Sequence, residues 1–149
     1  MHVRTAIRNT IATQVTGLTT TGSNVFTHRV YPVQEEVLPA IIVYTSSESA
    51  TRSTIGGFGN IASVSRVLSI SVEAYVKATS NVLTTLDTIA TEIEIALGDD
   101  ETLGGLAEDI QLANTSIEIT ADGDKPVGVL KMDYEVVYRT TAGDPTTAL

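Results

Sequence analysis

Apolar residues recur every three or four positions in two segments of the chain, which predicts two amphipathic helices. The first begins near residue 3 and stops at Gly17; its stripe contains Val3, Ile7, Ile11 and Val15. The second starts after Ser80 or Asn81 and ends at Gly98, with the stripe Leu83, Leu86, Ile89, Ala90, Ile93 and Leu97. Each stripe gives its helix one apolar face that can pack against a core.

Other segments alternate or run apolar over short lengths, which predicts about five strands. They are 25–30, 40–44, 66–77, 110–120 with an uncertain register around Ala113-Asn114, and 128–139. The unbroken apolar run Ala40-Ile41-Ile42-Val43-Tyr44 is typical of a strand covered on both faces. The sequence therefore predicts one α+β domain over 1–149: a two-layer sandwich with a mixed or antiparallel sheet and two helices on one face.

Two segments show no periodicity. Residues 46–64, rich in serine, threonine and glycine, predict a long flexible loop between central strands, or alternatively the extension of a hairpin. Residues 140–149 are small and polar, and predict a loose C-terminal tail. Asp122-Gly123-Asp124 predicts the turn of a hairpin between the last two strands.

Charge is unevenly distributed along the chain, whose net charge is -9. Residues 1–77 hold six basic and four acidic side chains, whereas 78–149 hold three basic and fourteen acidic ones. Two interpretations stay open: the acidic groups solvate one side, or copies associate with a basic face against an acidic face. The acidity argues against wrapping nucleic acid, and no apolar run approaches the length of a membrane span.

Candidate chemistry is sparse. There is no cysteine, and the two histidines, His2 and His28, have no partner at a metal-ligand spacing. The acidic turn at Asp99, Asp100 and Glu101 offers oxygen atoms to a divalent cation but matches no EF-hand loop, so exposed charge is the simpler interpretation. We expect no enzymatic activity, no cofactor and no metal site.

Three stretches taken together resemble the tail terminator family of long-tailed bacteriophages, which includes the minor tail protein U type. The chain shows them as an N-terminal amphipathic helix followed by LTTTGSNVF (18–26), RVYP (29–32) running into LPAIIVY (38–44), and LKMDYEVVYRT (130–140). The resemblance implies a virion protein that forms a ring, usually of six subunits, at the head-proximal end of the tail tube. Such a ring ends tube polymerisation, contacts the tube protein and a head-tail connector, and lets DNA pass through its lumen without binding it.

Within this interpretation the loop 46–64 is the expected contact with the tube, and two further groups are expected between subunits. The tube-contact residues are Arg52, Ile55, Gly56, Gly57, Phe58, Gly59 and Arg66; the subunit contacts are Arg29, Arg139, Asp99, Asp100 and Glu101. The resemblance places the protein in the virion, after assembly in the cytoplasm of a bacterial host, and not in a membrane. The alternatives are a head-tail connector or stopper protein and a small metal- or ligand-binding module.

Overall fold

The computed structural model describes residues 1–28, 38–52, 62–77, 80–120 and 126–149. In the described parts the chain forms two helices and six strands. In chain order they are α1 (Val3–Gln14), β1 (Val25–Phe26), β2 (Ala40–Arg52), β3 (Ser63–Lys77), α2 (Val82–Gly98), β4 (Asp109–Thr120), β5 (Val127–Thr141) and β6 (Asp144–Ala148). None of the described helices has the length and hydropathy needed to cross a membrane.

The strands form one mixed sheet in the order β1-β2-β3-β5-β4, and β6 pairs with the end of β5. Strand β1 is parallel to β2, and every other neighbouring pair is antiparallel. Strands β3 and β5 lie in the middle and pair along their full length, from Ser63 opposite Thr141 to Lys77 opposite Val127. The predicted α+β class, with a mixed sheet, is confirmed.

The core lies between the sheet and the two helices. Alternate residues of β3 and β5 point into it, because side chains along a strand alternate between the two faces. The sheet contributes Leu68, Ile70, Val72, Ala74, Val76, Leu130, Met132, Tyr134, Val136 and Tyr138. The helices contribute Val3, Ile7, Ile11, Val82, Leu86, Ile89, Ile93 and Leu97, and Val15, directly after α1, is also in the core. The alternating apolar residues of both central strands therefore lie on the core side of the sheet.

A close approach between α2 and β5 requires glycine at position 128. A Cβ atom added to Gly128 would lie 2.4 Å from Cγ1 of Val82 and 2.9 Å from Cδ1 of Leu86. The first turn of α2 thus rests directly on the backbone of β5. Val82 is buried and Leu83 is 52% exposed, so the prediction that Leu83 belongs to the apolar stripe is wrong.

The predicted flexible loop 46–64 is wrong at both of its ends, where the alternative prediction, the extension of a hairpin, is confirmed. Residues 46–52 belong to β2 and residues 63–64 to β3, where Arg52 lies opposite Val64 in an antiparallel ladder. These serines and threonines need no apolar partner, because most of 46–52 is exposed. The rest of the predicted loop, 53–61, lies outside the described residues, as does the predicted turn at 122–124.

The predicted loose tail is also wrong. Strand β5 continues to Thr141, and β6 then folds back so that Thr140 lies opposite Ala148. The side chain of Thr140 is fully buried, and Ala148 packs against the core. Backbone pairing with β5 therefore orders a segment whose small polar residues carry no periodic pattern. The predicted first strand, 25–30, is a strand only over Val25–Phe26; Thr27 and His28 are not in a strand, and residues 29–30 lie outside the described residues.

Candidate interaction surface

The sheet has one exposed edge along β4. Strand β4 pairs with β5 on one side, and no strand in the described part of the chain pairs with its other side. All of its residues from 111 to 120 are exposed, including Leu112, Ile117 and Ile119 at 36%, 44% and 45%. A long edge strand of this kind presents unpaired backbone N–H and C=O groups to solvent, which is a template for another strand.

The opposite edge is formed by β2. Strand β1 pairs only with Ile41 and Ile42, so among the described residues the outer side of β2 beyond them has no neighbouring strand. From residue 46 onward β2 is exposed except at Glu48. Within the part of the chain that the structure describes, the sheet thus ends in an open strand on both sides.

The two edges carry opposite charge. Helix α1 and strand β2 lie at one edge and hold Arg4, Arg8 and Arg52 against a single acidic residue, Glu48. Helix α2 and strand β4 hold only acidic charges: Asp87, Glu92, Glu94, Asp109 and Glu118. Helix α2 packs on β3 and β5, and its Glu92 accepts a hydrogen bond from the backbone N–H of Thr20, so of these acidic residues Asp109 and Glu118 lie on the β4 edge itself. In the fold the basic edge is thus formed by α1 with β2, and the acidic edge by β4.

Glu48 joins α1 to the sheet. Its Oε2 atom lies 3.1 Å from Nη1 of Arg4 in α1 and 2.9 Å from Nη1 of Arg66 in β3. Its other oxygen accepts a short hydrogen bond from the hydroxyl of Tyr138, and Arg66 also donates from Nε to Thr140 at 3.1 Å. Burial alone would raise the pKa of Glu48, but the hydrogen bonds from Tyr138 and Arg66 and the charges of Arg66 and Arg4 together lower it.

The bulge in β2 explains why Glu48 reaches this position. The register shifts between Thr45 and Ser47, so one extra residue reverses the alternation of faces. Before the bulge Ile41 and Val43 point toward the helices; after it Glu48 lies opposite Leu68 and points the same way. Sequence periodicity did not single out Glu48, because the bulge is not visible in a run of small polar residues.

A second polar cluster lies on the sheet face away from the helices. The carboxylate of Glu73 accepts hydrogen bonds from the hydroxyls of Tyr44 at 2.5 Å and Tyr75 at 2.6 Å. On the same face Ser71 donates to Asp133 at 2.7 Å. Glu73 and Ser71 are only 3% and 1% exposed, so this part of the face is a hydrogen-bonded layer and not a solvated surface. Each oxygen atom of Glu73 thus accepts one hydrogen bond from a tyrosine hydroxyl.

A small cavity of about 150 Å³ lies between the end of α2 and β4. Leu97, Ile110 and Leu112 give it apolar walls, and Glu94 and Glu101 contribute carboxylates. Tyr134 also lines it; its hydroxyl is buried and makes no hydrogen bond within the described residues. Burial first, and the nearby charge of Glu94 second, raise the pKa of Tyr134.

The predicted contact residues fall into three groups in the structure. Arg29 and residues 55–59 lie outside the described residues. Arg52 is exposed at the end of β2, at the basic edge. Arg66 is in the paired part of β3 and its side chain is only 16% exposed. Its contact with the tube, like that of Arg52, stays a prediction.

The remaining predicted subunit contacts, Arg139 and the turn at 99–101, belong to the acidic second half of the chain. Arg139 forms an ion pair with Glu108 of the same chain, with both side chains more than 40% exposed. Asp100 accepts hydrogen bonds from Thr102 and Gly104, which lower the pKa of its carboxyl group. Asp99 and Glu101 are exposed beside it. Their contact with a neighbouring subunit stays a prediction.

Among the described residues, no three histidine, cysteine, aspartate or glutamate side chains are grouped so that they could hold a metal ion. No protein-family model matches the chain, and no curated protein sequence matches it. Among solved structures the chain is similar to one from the virion of a native gene transfer agent particle. The TM-score is 0.43 with 14% identity, over 91% of this chain and 92% of that one.

Proposed function

We propose that this protein is a structural virion protein that forms a ring at the head-proximal end of a phage tail tube. In this role it ends tube polymerisation, provides the surface that joins the head, and leaves a lumen through which DNA passes. The proposed work is done by contacts between proteins and not by catalysis, a cofactor or a metal.

The observation that carries the proposal is the pair of open, oppositely charged edges. A head-to-tail contact joins two different patches of the same chain, and it closes into a ring when the rotation between copies permits. The basic edge at α1 and β2 and the acidic edge at β4, with Asp109 and Glu118, are two such patches. Complementary charge of this kind selects the partner edge and fixes orientation.

The sequence resemblance supplies the specific role and the expectation of six subunits. The distant structural match comes from a virion, which is the class of particle that the proposal names, but the proposal does not depend on it. The expected partners are further copies of this chain, the tail tube protein and the head-tail connector protein.

Particle fractionation tests the role. Lysates of cells that produce the phage are separated into headless tails, tailless heads and complete virions, and the protein is quantified in each by mass spectrometry. A tail terminator is present in headless tails and absent from tailless heads. A connector or stopper protein shows the reverse distribution, which would refute the proposal in favour of that alternative. Absence from all three fractions would refute both roles.

A further inference from the structure

We propose that the cavity between the end of α2 and β4 is a binding pocket for a primary ammonium group on an aliphatic stem, and that its occupant is a lysine side chain of another protein. The ammonium group would donate hydrogen bonds to the carboxylates of Glu94 and Glu101 and to the hydroxyl oxygen of Tyr134, all of which line the cavity. The inference does not depend on the tail role. It gives Glu101, one of the predicted subunit contacts, a specific partner chemistry.

The cavity has a buried inner wall and an open mouth. Its inner wall is formed by residues that are at most 7% exposed, namely Leu97, Ile110 and Tyr134. Glu94 and Glu101 are exposed and lie at the mouth. A ligand can therefore enter from solvent, pass between two carboxylates and reach buried atoms.

The hydroxyl of Tyr134 gives the cavity a polar group that is available for binding. Tyr134 lies in β5 opposite Leu112 of β4, and its side chain is on the helix side of the sheet. Its oxygen atom is buried and has no hydrogen-bond partner among the described residues. Buried polar groups in proteins nearly always have a partner, because an unsatisfied one is costly. Burial, and after it the charge of Glu94, raises the pKa of Tyr134, so the Glu94 carboxylate is close enough to act on this hydroxyl.

The charge of the site selects a cation. Two carboxylates line the cavity, and no lysine or arginine is among the described residues around it. An alkylammonium group has three N–H donors and no acceptor, which matches the three oxygen-bearing groups of Glu94, Glu101 and Tyr134. A metal ion fits less well, since the described residues offer no group of three histidine, cysteine, aspartate or glutamate side chains.

Size and apolar surface favour a lysine side chain. The volume of about 150 Å³ is below the roughly 300–1,000 Å³ of pockets for drug-sized ligands, so the cavity suits a single side chain. Leu97, Ile110 and Leu112 offer the apolar surface along which lysine buries its methylene stem. Arginine, with five donors in a rigid planar fork, has more donors than the three groups present. The mouth lies beside the exposed strand β4, where another protein chain can approach.

Small probes test the pocket on the purified protein. Saturation-transfer difference NMR at constant ionic strength measures the binding of n-butylammonium, which reproduces the lysine side chain, and of Nα-acetyl-lysine amide, which presents that side chain as a protein does. Both should bind saturably. The neutral probe n-butanol has a stem of the same length and should bind about tenfold more weakly or worse, because it lacks the charge-assisted hydrogen bonds.

Two variants and a matched control locate the binding. Tyr134→Phe, and Glu94→Gln combined with Glu101→Gln, should each raise the Kd of n-butylammonium about tenfold or more. The control Asp87→Asn with Glu118→Gln removes the same two negative charges at exposed positions that do not line this cavity, and it should leave the Kd unchanged. Urea unfolding of each variant checks that a loss of binding is not a loss of the fold.

Several results would overturn the inference. They are no saturable binding of n-butylammonium up to about 100 mM, which is enough to saturate a site with a Kd of about 1 mM, equal binding of n-butanol, or an equal loss of binding in the control variant. Tighter binding of n-propylguanidinium would reassign the pocket to arginine, and exclusion of Nα-acetyl-lysine amide would restrict it to free amines. Absence of the protein from tails would refute the tail role and leave the pocket intact, whereas failure of the probes to bind would leave the tail role intact.

Discussion

Glu48 binds two arginines through one carboxylate oxygen, and the structure predicts that they contribute unequally to stability. Arg4 and Arg66 lie 3.1 Å and 2.9 Å from Oε2, so the two distances are nearly the same. Their surroundings differ, because the side chain of Arg4 is 44% exposed and that of Arg66 is 16% exposed. Solvent therefore screens the first pair much more than the second.

The expected magnitudes follow from exposure. An exposed ion pair stabilises a protein by about 0.2–1 kcal/mol, so the coupling between Glu48 and Arg4 should fall in that range. Breaking a fully buried pair costs about 3–5 kcal/mol. The pair of Glu48 and Arg66 is between these limits, and we expect a coupling of about 2 kcal/mol. Glu48→Gln, which weakens both pairs and the bond from Tyr138, should destabilise the protein by about 3 kcal/mol.

Two double-mutant cycles measure the difference. Urea unfolding of the wild type, Glu48→Gln, Arg4→Ala, Arg66→Ala and the two double variants gives both coupling energies. The measurements should be made at a protein concentration where every variant has the same oligomeric state, because assembly stabilises the folded chain. Added salt should reduce the Arg4 coupling more than the Arg66 coupling. Equal couplings, or a larger one for Arg4, would refute the reasoning from exposure.

Three further predictions use the same unfolding assay. Gly128→Val should destabilise the protein by about 2 kcal/mol or more, because the added side chain would overlap Val82 and Leu86. Gly98→Ala has open space around it and should leave the stability unchanged. Similar losses of stability in both variants would contradict the close approach at Gly128. Tyr134→Phe removes a buried hydroxyl that has no hydrogen bond in the described structure, so it should be neutral or stabilising. Tyr138→Phe should instead destabilise the protein by about 1.5–3 kcal/mol, because it removes the hydrogen bond to the Glu48 carboxylate. The reverse order of the two effects would refute this assignment. The pKa of Glu48 is lowered in the folded protein, so its contribution to the free energy of unfolding should be complete above the unfolded pKa of about 4.3. That contribution should be lost as the pH falls through the folded pKa. Glu48→Gln should therefore lose less stability in acid than the wild type.

The parts of the fold that follow from sequence are those with one buried face. The alternation from Leu68 to Val76 and from Leu130 to Tyr138 identified the core side of both central strands, since each strand buries every second residue. The helices were found for the same reason. For α2 the pattern predicts that Leu83 is buried, whereas the structure buries its neighbour Val82. Both residues are apolar, and only the contact of Val82 with Gly128 shows which of them faces the core.

The parts that did not follow from sequence are those held by backbone pairing. Residues 46–52 and 144–148 are strands without an apolar face, so they gave no periodic pattern. A partial indication existed in β4, where the apolar positions change from even numbers at Ile110 and Leu112 to odd numbers at Ile117 and Ile119. That change of parity is the bulge seen after Leu112. In β2 the polar sequence hid the equivalent bulge, and with it the position of Glu48.

The order of the strands explains how the difference in charge between the two halves of the sequence becomes a difference in charge between the two edges of the sheet. If β4 had followed β2 in the sheet, the acidic and basic segments would be neighbours and would pair within one chain. Instead β3 and β5 lie between them, so charges on β2 and β4 are separated by three strand spacings. At about 4.8 Å per strand this separation is about 14 Å, beyond the Debye length of about 8 Å at physiological salt, so attraction between the two edges of one chain is largely screened. In the proposed ring, contact between the basic edge of one copy and the acidic edge of the next would remove that separation, and the charges of the two edges would then attract each other.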